Sequence, residues 1–306
     1  MALPGWLATA AGLLLFLTRY LRISNQAAII AATFAHLAPV SMFIGAVLLA
    51  LGGNPGALVA IALTTVAVAA ELRPWLHRRD RGAPLLRVLT LNVWLGQGDP
   101  KAILELARGQ NADVIALQET TEEFVEAIRG TGIDADYPHS LLAPGPNWRG
   151  VTVWSRFPLR DPLITEHGNM YRVEAVAQVG LQEQVDDPVI ASLHLHAPWP
   201  GAPGEWVDDL MGVSDQLRDD ERPLILAGDY NATWDHAYFR RVLRDATDAT
   251  VAAGAWTTRT WPTHLHIPCV IAIDHVLLKR LSASKVTSHV VSGADHRALV
   301  ATITRP

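Results

Sequence analysis

Between Asn92 and His296 the sequence carries a recurring set of side chains suited to working on one hard cation and one proton. Asn92, Glu119 and Asp295 offer oxygen ligands of the kind that magnesium and manganese prefer. His194, Asp229, Asp274 and His296 are carboxylates and imidazoles that can hold and move protons. Asn231 adds an amide two residues beyond Asp229. These residues are far apart in the chain, so only a fold that gathers the ends of several strands can bring them together.

The surrounding pattern predicts such a fold. Strand-like runs cover 86–93, 113–118, 150–154, 172–179, 189–194, 224–228, 271–278, 285–291 and 298–303. Helical patterns begin at Pro100, with Asp99 as its cap, and cover 122–129, 205–217 and 236–244. Many strands with few helices predict an α/β, four-layered sandwich, two stacked mixed sheets flanked by helices. Asn92, Glu119, His194 and Asp229 each end a strand, and strand ends within one sheet converge. Glu119 has a second reading, as the cap of the helix that follows it. His194 and His196 would share one face of an extended strand, and His194 is preferred. His275 would point away from Asp274, to the opposite face. Cys269 excludes an intrachain disulfide and reads as a small core residue in an apolar run over 267–273.

The order Leu91-Asn92-Val93, Gln118-Glu119-Thr120, Ser192-Leu193-His194-Leu195, Gly228-Asp229-Tyr230-Asn231-Ala232, Ile273-Asp274-His275 and Asp295-His296 resembles the endonuclease/exonuclease/phosphatase superfamily over about residues 86–304. That superfamily includes pancreatic-type DNases, abasic-site endonucleases, neutral sphingomyelinases and inositol-polyphosphate phosphatases. The resemblance implies a Mg2+- or Mn2+-dependent hydrolase of phosphoester bonds. Glu119 would be the main metal ligand, with Asn92 and Asp295 completing the site. Asp229 would orient or deprotonate the attacking water, and Asn231 would hold it. His296, supported by Asp274, would bind the phosphate, and His194 would donate to it. Arg149, Arg172 and Trp261 are candidate substrate contacts, and Trp94, Trp148, Trp199, Trp234 and Trp256 are candidates for an aromatic rim. An inactive membrane scaffold on the same fold is the alternative. Its mark would be loss of a metal carboxylate or of the Asp229/His296 pair, and none is lost.

Composition divides the chain. Half of it is hydrophobic and only 18% charged, an imbalance that sits at the N-terminus. Residues 23–70 contain no Lys, Arg, Asp or Glu, whereas 77–306 hold 22 basic and 29 acidic residues. The acidic body gives no chain-wide attraction for nucleic acid. The apolar head predicts a membrane region (1–76) with about three transmembrane helices, near 4–19, 27–51 and 56–74. An Arg-rich linker (77–85) and a catalytic domain (86–306) would follow. This arrangement is similar to a bacterial subgroup of the superfamily with N-terminal transmembrane helices. Arg19 and Arg22 fall on the same side as Arg73, Arg78, Arg79 and Arg81, which places the C-terminal domain in the cytoplasm. His36, inside the second span, is either bonded to a neighbouring helix or functional. The expected partners are therefore the lipid bilayer and a phosphorylated substrate, with no obligate protein partner.

Overall fold

The computed structural model describes residues 1–76, 82–167, 170–180, 187–256, 258–265 and 268–305. Arg78, Arg79 and Arg81 of the expected linker lie outside the described residues, as does part of the apolar run around Cys269.

The strands are β1 (Pro84–Asn92), β2 (Val114–Gln118), β3 (His139–Ala143), β4 (Val151–Ser155), β5 (Leu159–His167) and β6 (Met170–Ala177). They continue with β7 (Val189–His194), β8 (Leu224–Asp229), β9 (Thr247–Asp248), β10 (Asp274–Lys279), β11 (Ser282–Val290) and β12 (Arg297–Thr304). Among the described residues they form two mixed sheets, ordered β11-β12-β1-β2-β4-β3 and β5-β6-β7-β8-β10-β9. Each sheet has one parallel pair near its middle, β1 with β2 and β7 with β8. The apolar faces of Val88, Ala116, Val153, Ile190, Ile225 and Leu299 meet between the sheets. Helices Pro100–Gly109 and Glu122–Gly130 cover the outer face of the first sheet, packing on Leu89, Leu91 and Ile115. Pro203–Asp219 and Ala237–Val242 cover the second through Trp206, Leu210 and Phe239. The architecture is thus the predicted four-layered sandwich. Parallel neighbours point their C-terminal ends the same way, so Asn92, Gln118, His194 and Asp229 emerge at one edge of the sandwich.

Local chemistry fixes the starts of the covering helices. Asp99 accepts a hydrogen bond from the Lys101 N–H, with Pro100 in the first turn, and Thr121 accepts from the Phe124 N–H. The cap after β2 is therefore Thr121, which frees Glu119 from the capping role that the sequence allowed.

Apolar helices occupy all three stretches expected near 4–19, 27–51 and 56–74, but they differ in length and continuity. One helix, Gly56–Leu76, is long and apolar enough to cross a bilayer. Ala2–Thr18 is shorter at 17 residues, about 25 Å. The expected span over 27–51 is broken: Gln26–Thr33 and Ala35–Leu51 meet at a 48° bend. His36 sits in the 3-10 turn at that break and faces Asp235 at 3.7 Å, so it is not inside a continuous span. Beyond the bend, helix Ala38–Leu51 packs closely on Ala2–Thr18, where a Cβ on Gly45 would stand 2.2 Å from Thr9 Oγ1.

Gln26–Thr33 lies on the sandwich. Ile29 is buried among Trp206, Phe239 and Tyr230, and Gln26 donates to the carbonyl of Pro198. His236 joins the two parts. Its Nδ1 accepts from the Thr233 N–H at 2.8 Å and its Nε2 donates to the Ile29 carbonyl at 3.1 Å. Only the neutral ring makes both bonds, and burial pushes its pKa down to about 4. Between the unfolded value near 6.5 and about 4, the unfolded chain binds the extra proton, so stability falls as pH drops through this window. The span corresponds to roughly 3 kcal/mol. We expect the thermal midpoint to drop steeply on acidification from pH 7 to 4, and His236→Gln to flatten that drop; equal pH profiles would refute the assignment.

Candidate active site

The edge that the parallel strands share is where the chemistry gathers. Asn92, at the end of β1, is buried and donates from Nδ2 to Glu119 Oε1 at 2.9 Å and to Asp229 Oδ2 at 3.1 Å. One amide thus ties together strand ends from both sheets. Its own oxygen accepts from the Trp94 N–H, and Glu119 Oε2 accepts from the Leu95 N–H. Trp94, Leu95, Glu119 and Asn231 all hold left-handed backbones, with φ of 49, 53, 59 and 48°. Non-glycine residues take such angles at a cost of order 1–3 kcal/mol. Their concentration around one point marks a place where geometry is kept against local preference.

Beneath this layer Gln118 bridges the sheets, donating to Ser192 Oγ at 2.9 Å and pairing with Thr90 at 3.2 Å. All three are fully buried. Sequence reasoning gave Gln118 no role of its own. Its signal was a large amide at the end of an otherwise apolar buried strand, a placement that demands partners. Gly228 permits the close approach of β8 to β7, because a Cβ there would lie 1.9 Å from the Leu193 carbonyl oxygen. The glycine before Asp229 is therefore required by space.

Asp229 is enclosed. Its Oδ1 accepts from the Asn231 N–H at 2.8 Å. Its Oδ2 stands 3.6 Å from His194 Nε2 and 3.7 Å from His296 Nε2. Burial, then the charge of Asp274, push its pKa up to about 6, against the pull of His296 and His194. His296 donates from Nδ1 to Asp274 Oδ2 at 2.8 Å. Burial lowers its pKa, but Asp274 and Asp229 outweigh that and raise it to about 10. The pair is a protonated imidazole held by a buried carboxylate, with Nε2–H directed into the cluster.

The two histidines of 194–196 part company. β7 ends at His194, so the shared-face rule for a strand stops there. His194 turns inward, its Nδ1 donating to the Trp148 carbonyl at 2.9 Å and its Nε2 facing Asn231 and Asp229. His196 turns out to Asp209 Oδ2 at 2.8 Å on the covering helix. His275 points to the opposite face from Asp274. It is buried between Asp248 Oδ2 at 2.7 Å and the Ala232 carbonyl at 2.9 Å, bracing the 229–234 loop from behind.

Asp295 completes the rim. Its Oδ2 accepts from Trp261 Nε1 at 3.3 Å, and its Oδ1 lies 3.8 Å from His296. That Oδ1 is buried with no hydrogen-bond partner among the described residues. Burial raises the pKa of Asp295 and the nearby Glu119 charge adds to the rise, opposed by His296 and Trp261. An orphaned carboxylate oxygen beside a second carboxylate fits a hard divalent cation held by Glu119 and Asp295, with Asn92 alongside. Asp229, Asp274 and His296 also place ligand atoms within 4.8 Å of one another. There, however, His296 donates to Asp274 Oδ2 and is held protonated, and a cation is repelled by that charge, so the oxygen-rich side is the better site for a hard ion.

Two expected contacts do not join the cluster. Arg149 turns to Glu166 and the Tyr171 ring. Arg172 lies with Glu174, at 3.0 Å, on the outer face of the second sheet under the covering helix. The period of two along β6 sends Val173 between the sheets and Arg172 away from the cleft. Trp261 does join, and Trp94 stacks on His264 beside it at 5.6 Å. Cys269 lies in a half-buried loop next to the exposed Val270, not in the core.

The model of the Endonuclease/Exonuclease/phosphatase family matches residues 89–297. This chain belongs to that family. Members of the endonuclease/exonuclease/phosphatase family hydrolyse phosphoester bonds, and solved structures share the fold at low identity. The chain is similar to truncated Caenorhabditis elegans TDP2 at 17% identity, covering 72% of this chain and 97% of that one, with a TM-score of 0.57. It is similar to the human Nocturnin catalytic domain at 17% identity, with 74% and 96% covered and a TM-score of 0.58. An AP endonuclease from Archaeoglobus fulgidus matches at 12% identity, with 71% and 98% covered and a TM-score of 0.58. The family match over 89–297 falls on the sandwich and begins after the N-terminal helices.

Proposed function

We propose that this chain is a membrane-anchored, divalent-metal-dependent hydrolase of phosphoester bonds, with its sandwich on the cytoplasmic side. The observation that carries the chemistry is the meeting of Asn92, Glu119 and Asp229 through one amide, with His194 and His296 both within 3.7 Å of Asp229 Oδ2.

Glu119, Asp295 and Asn92 would hold magnesium or manganese, which would supply charge stabilisation at a phosphoryl oxygen and at the leaving oxygen. Asp229 takes a proton from the attacking water, a task that needs its ionised form. Asn231 lies beside it, fixed by its Nδ2 bond to the Leu195 carbonyl at 2.9 Å. His296 presents Nε2–H to a phosphoryl oxygen while Asp274 holds its tautomer and charge. His194 presents Nε2 from the other side. Positioned charge of this kind carries most of the work in phosphoryl transfer.

The membrane reading is supported by exposure. Only 17% of the most apolar window of Gly56–Leu76 is buried, whereas the core helix of a soluble protein hides most of its length. Leu7, Leu14, Phe43, Ile44, Leu58 and Val66 also face outward, a share of exposed large apolar side chains that suits lipid better than water. The test is turnover by detergent-purified chain, stripped of metal, against DNA, phospholipids, prenyl phosphates and sugar phosphates. Hydrolysis of at least one class should return with magnesium, and no metal-restored activity on any would defeat the reading. A reporter fused after Pro306 should be cytoplasmic.

A further inference from the structure

A cavity of about 180 Å³ lies where the last apolar helix meets the sandwich, room for about six water molecules. Leu72 and Trp75 come from the helix and its 3-10 extension, and Trp234, Trp256 and Val270 from sandwich loops. Trp75 and Trp234 stand with ring centres 5.7 Å apart. Tryptophan at the end of an apolar helix is the residue of the bilayer interface. On the far side Asp274 and His275 form part of the wall, so the cavity backs onto the carboxylate that holds His296.

Charge at this cavity is unevenly satisfied. Its three carboxylates each face a cation: Glu71 and Asp235 are partnered by Arg19, and Asp274 by His296. Its arginine, Arg259, feels the charges of Asp235 and Glu71 from a distance but bonds neither carboxylate. It donates from Nη1 only to the carbonyls of Trp256 and Thr258, and it has no ion-pair partner among the described residues. A half-buried guanidinium with donors to spare, set among three tryptophans, is complementary to a phosphate carrying an apolar body.

We propose that this cavity binds an anionic phospholipid of the surrounding bilayer, its phosphate on Arg259 and its glycerol and first methylenes against Trp75, Trp234 and Trp256. This rests on the membrane reading above and is separate from the catalytic cleft. The carboxylates already hold a cation, so the cavity has no need of a zwitterionic headgroup's ammonium, and phosphatidylglycerol fits better than phosphatidylethanolamine.

The full chain should be reconstituted in phosphatidylglycerol/phosphatidylcholine vesicles doped with a phosphatidylglycerol bearing a diazirine near its glycerol. After illumination, labelled peptides should include Trp75, Trp234 or Trp256. Arg259→Gln, and separately Val270→Trp, which fills the mouth, should each cut that labelling by more than about tenfold while labelling of the apolar helices is unchanged. The same probe built on phosphatidylethanolamine should label the cavity weakly. Insertion with no cavity labelling, labelling indifferent to both substitutions, or equal labelling by the two lipids would overturn the inference alone. Protein that fails to float with the vesicles would overturn the membrane reading and the inference together.

Discussion

Glu119→Gln should reduce metal-dependent turnover on the order of 10³-fold, with excess magnesium failing to restore it. The side chain keeps its size, so the left-handed turn at Glu119 and the bonds from Asn92 and Leu95 survive in large part. One of those bonds must face an amide N–H instead of an oxygen, at about 1 kcal/mol. The thermal midpoint should therefore fall only slightly. What disappears is one of the two negative charges that make the site attractive to a hard cation, leaving Asp295 alone. Kinetics at a series of magnesium concentrations decide it. A merely weakened apparent affinity, with full activity at saturation, would mean that Glu119 is a peripheral ligand.

Asp229→Asn removes the proton acceptor and should lower kcat/KM by about 10²–10⁴-fold. Its stability should change little. Asp229 is a buried carboxylate raised to about 6 by desolvation and by Asp274, so the ionised side chain is held against a natural tendency to stay neutral. Asparagine keeps the acceptor for the Asn231 N–H and removes the buried charge, which offsets the bond lost from Asn92 Nδ2, about 1 kcal/mol, so the thermal midpoint at neutral pH should change little. The same reasoning fixes the pH profile of the unaltered chain. Asp229 must be ionised and His296 protonated, so kcat/KM should climb tenfold per unit up to about pH 6 and fall again above about pH 10. A saturating cation beside Asp229 moves the acid limb to lower pH. Residual activity of Asp229→Asn should lack the acid limb, and its persistence would assign that limb to another group.

The parts of this fold that could be read in advance are those where one physical demand dominates. Central strands are buried on both faces, and their apolar runs were legible: β2, β7 and β8 agree with expectation to within a residue or so. Three elements without a predicted counterpart, β3, β5 and β9, are edge strands. An edge strand has one free side and tolerates residues that a central strand rejects. β5 carries Asp161 and Pro162, which read as a turn in isolation. The break at Phe34 was overlooked for a related reason. The segment 26–51 lacks any charged Lys, Arg, Asp or Glu and reads as one span, although Pro39 sits in the first turn after the break, and Ile29 finds partners in Trp206 and Phe239 far along the chain.

The site followed the same division. Strand-terminal Asn92, Glu119, His194 and Asp229 were readable because convergence is a property of sheets. Arg172 was misplaced because its β6 position alone did not say which face the covering helix would occupy. His194 and His196 could not be separated by alternation, since the strand stops between them. The seam residues Asp235, His236 and Arg259 carried no local signal, and Arg19 was readable only as part of a basic cluster beside a span. Their roles exist only once the helices are seated on the sandwich.

The most direct measurement is a structure of the full chain soaked with manganese, the ion located by its anomalous scattering. One ion should lie between the carboxylates of Glu119 and Asp295 with the Asn92 amide beside it, and His296 should remain bonded to Asp274. Manganese seated on Asp274 and His296 instead, or no ion near Glu119 at saturating metal, would contradict the assignment of cation and acid–base roles on which everything else rests.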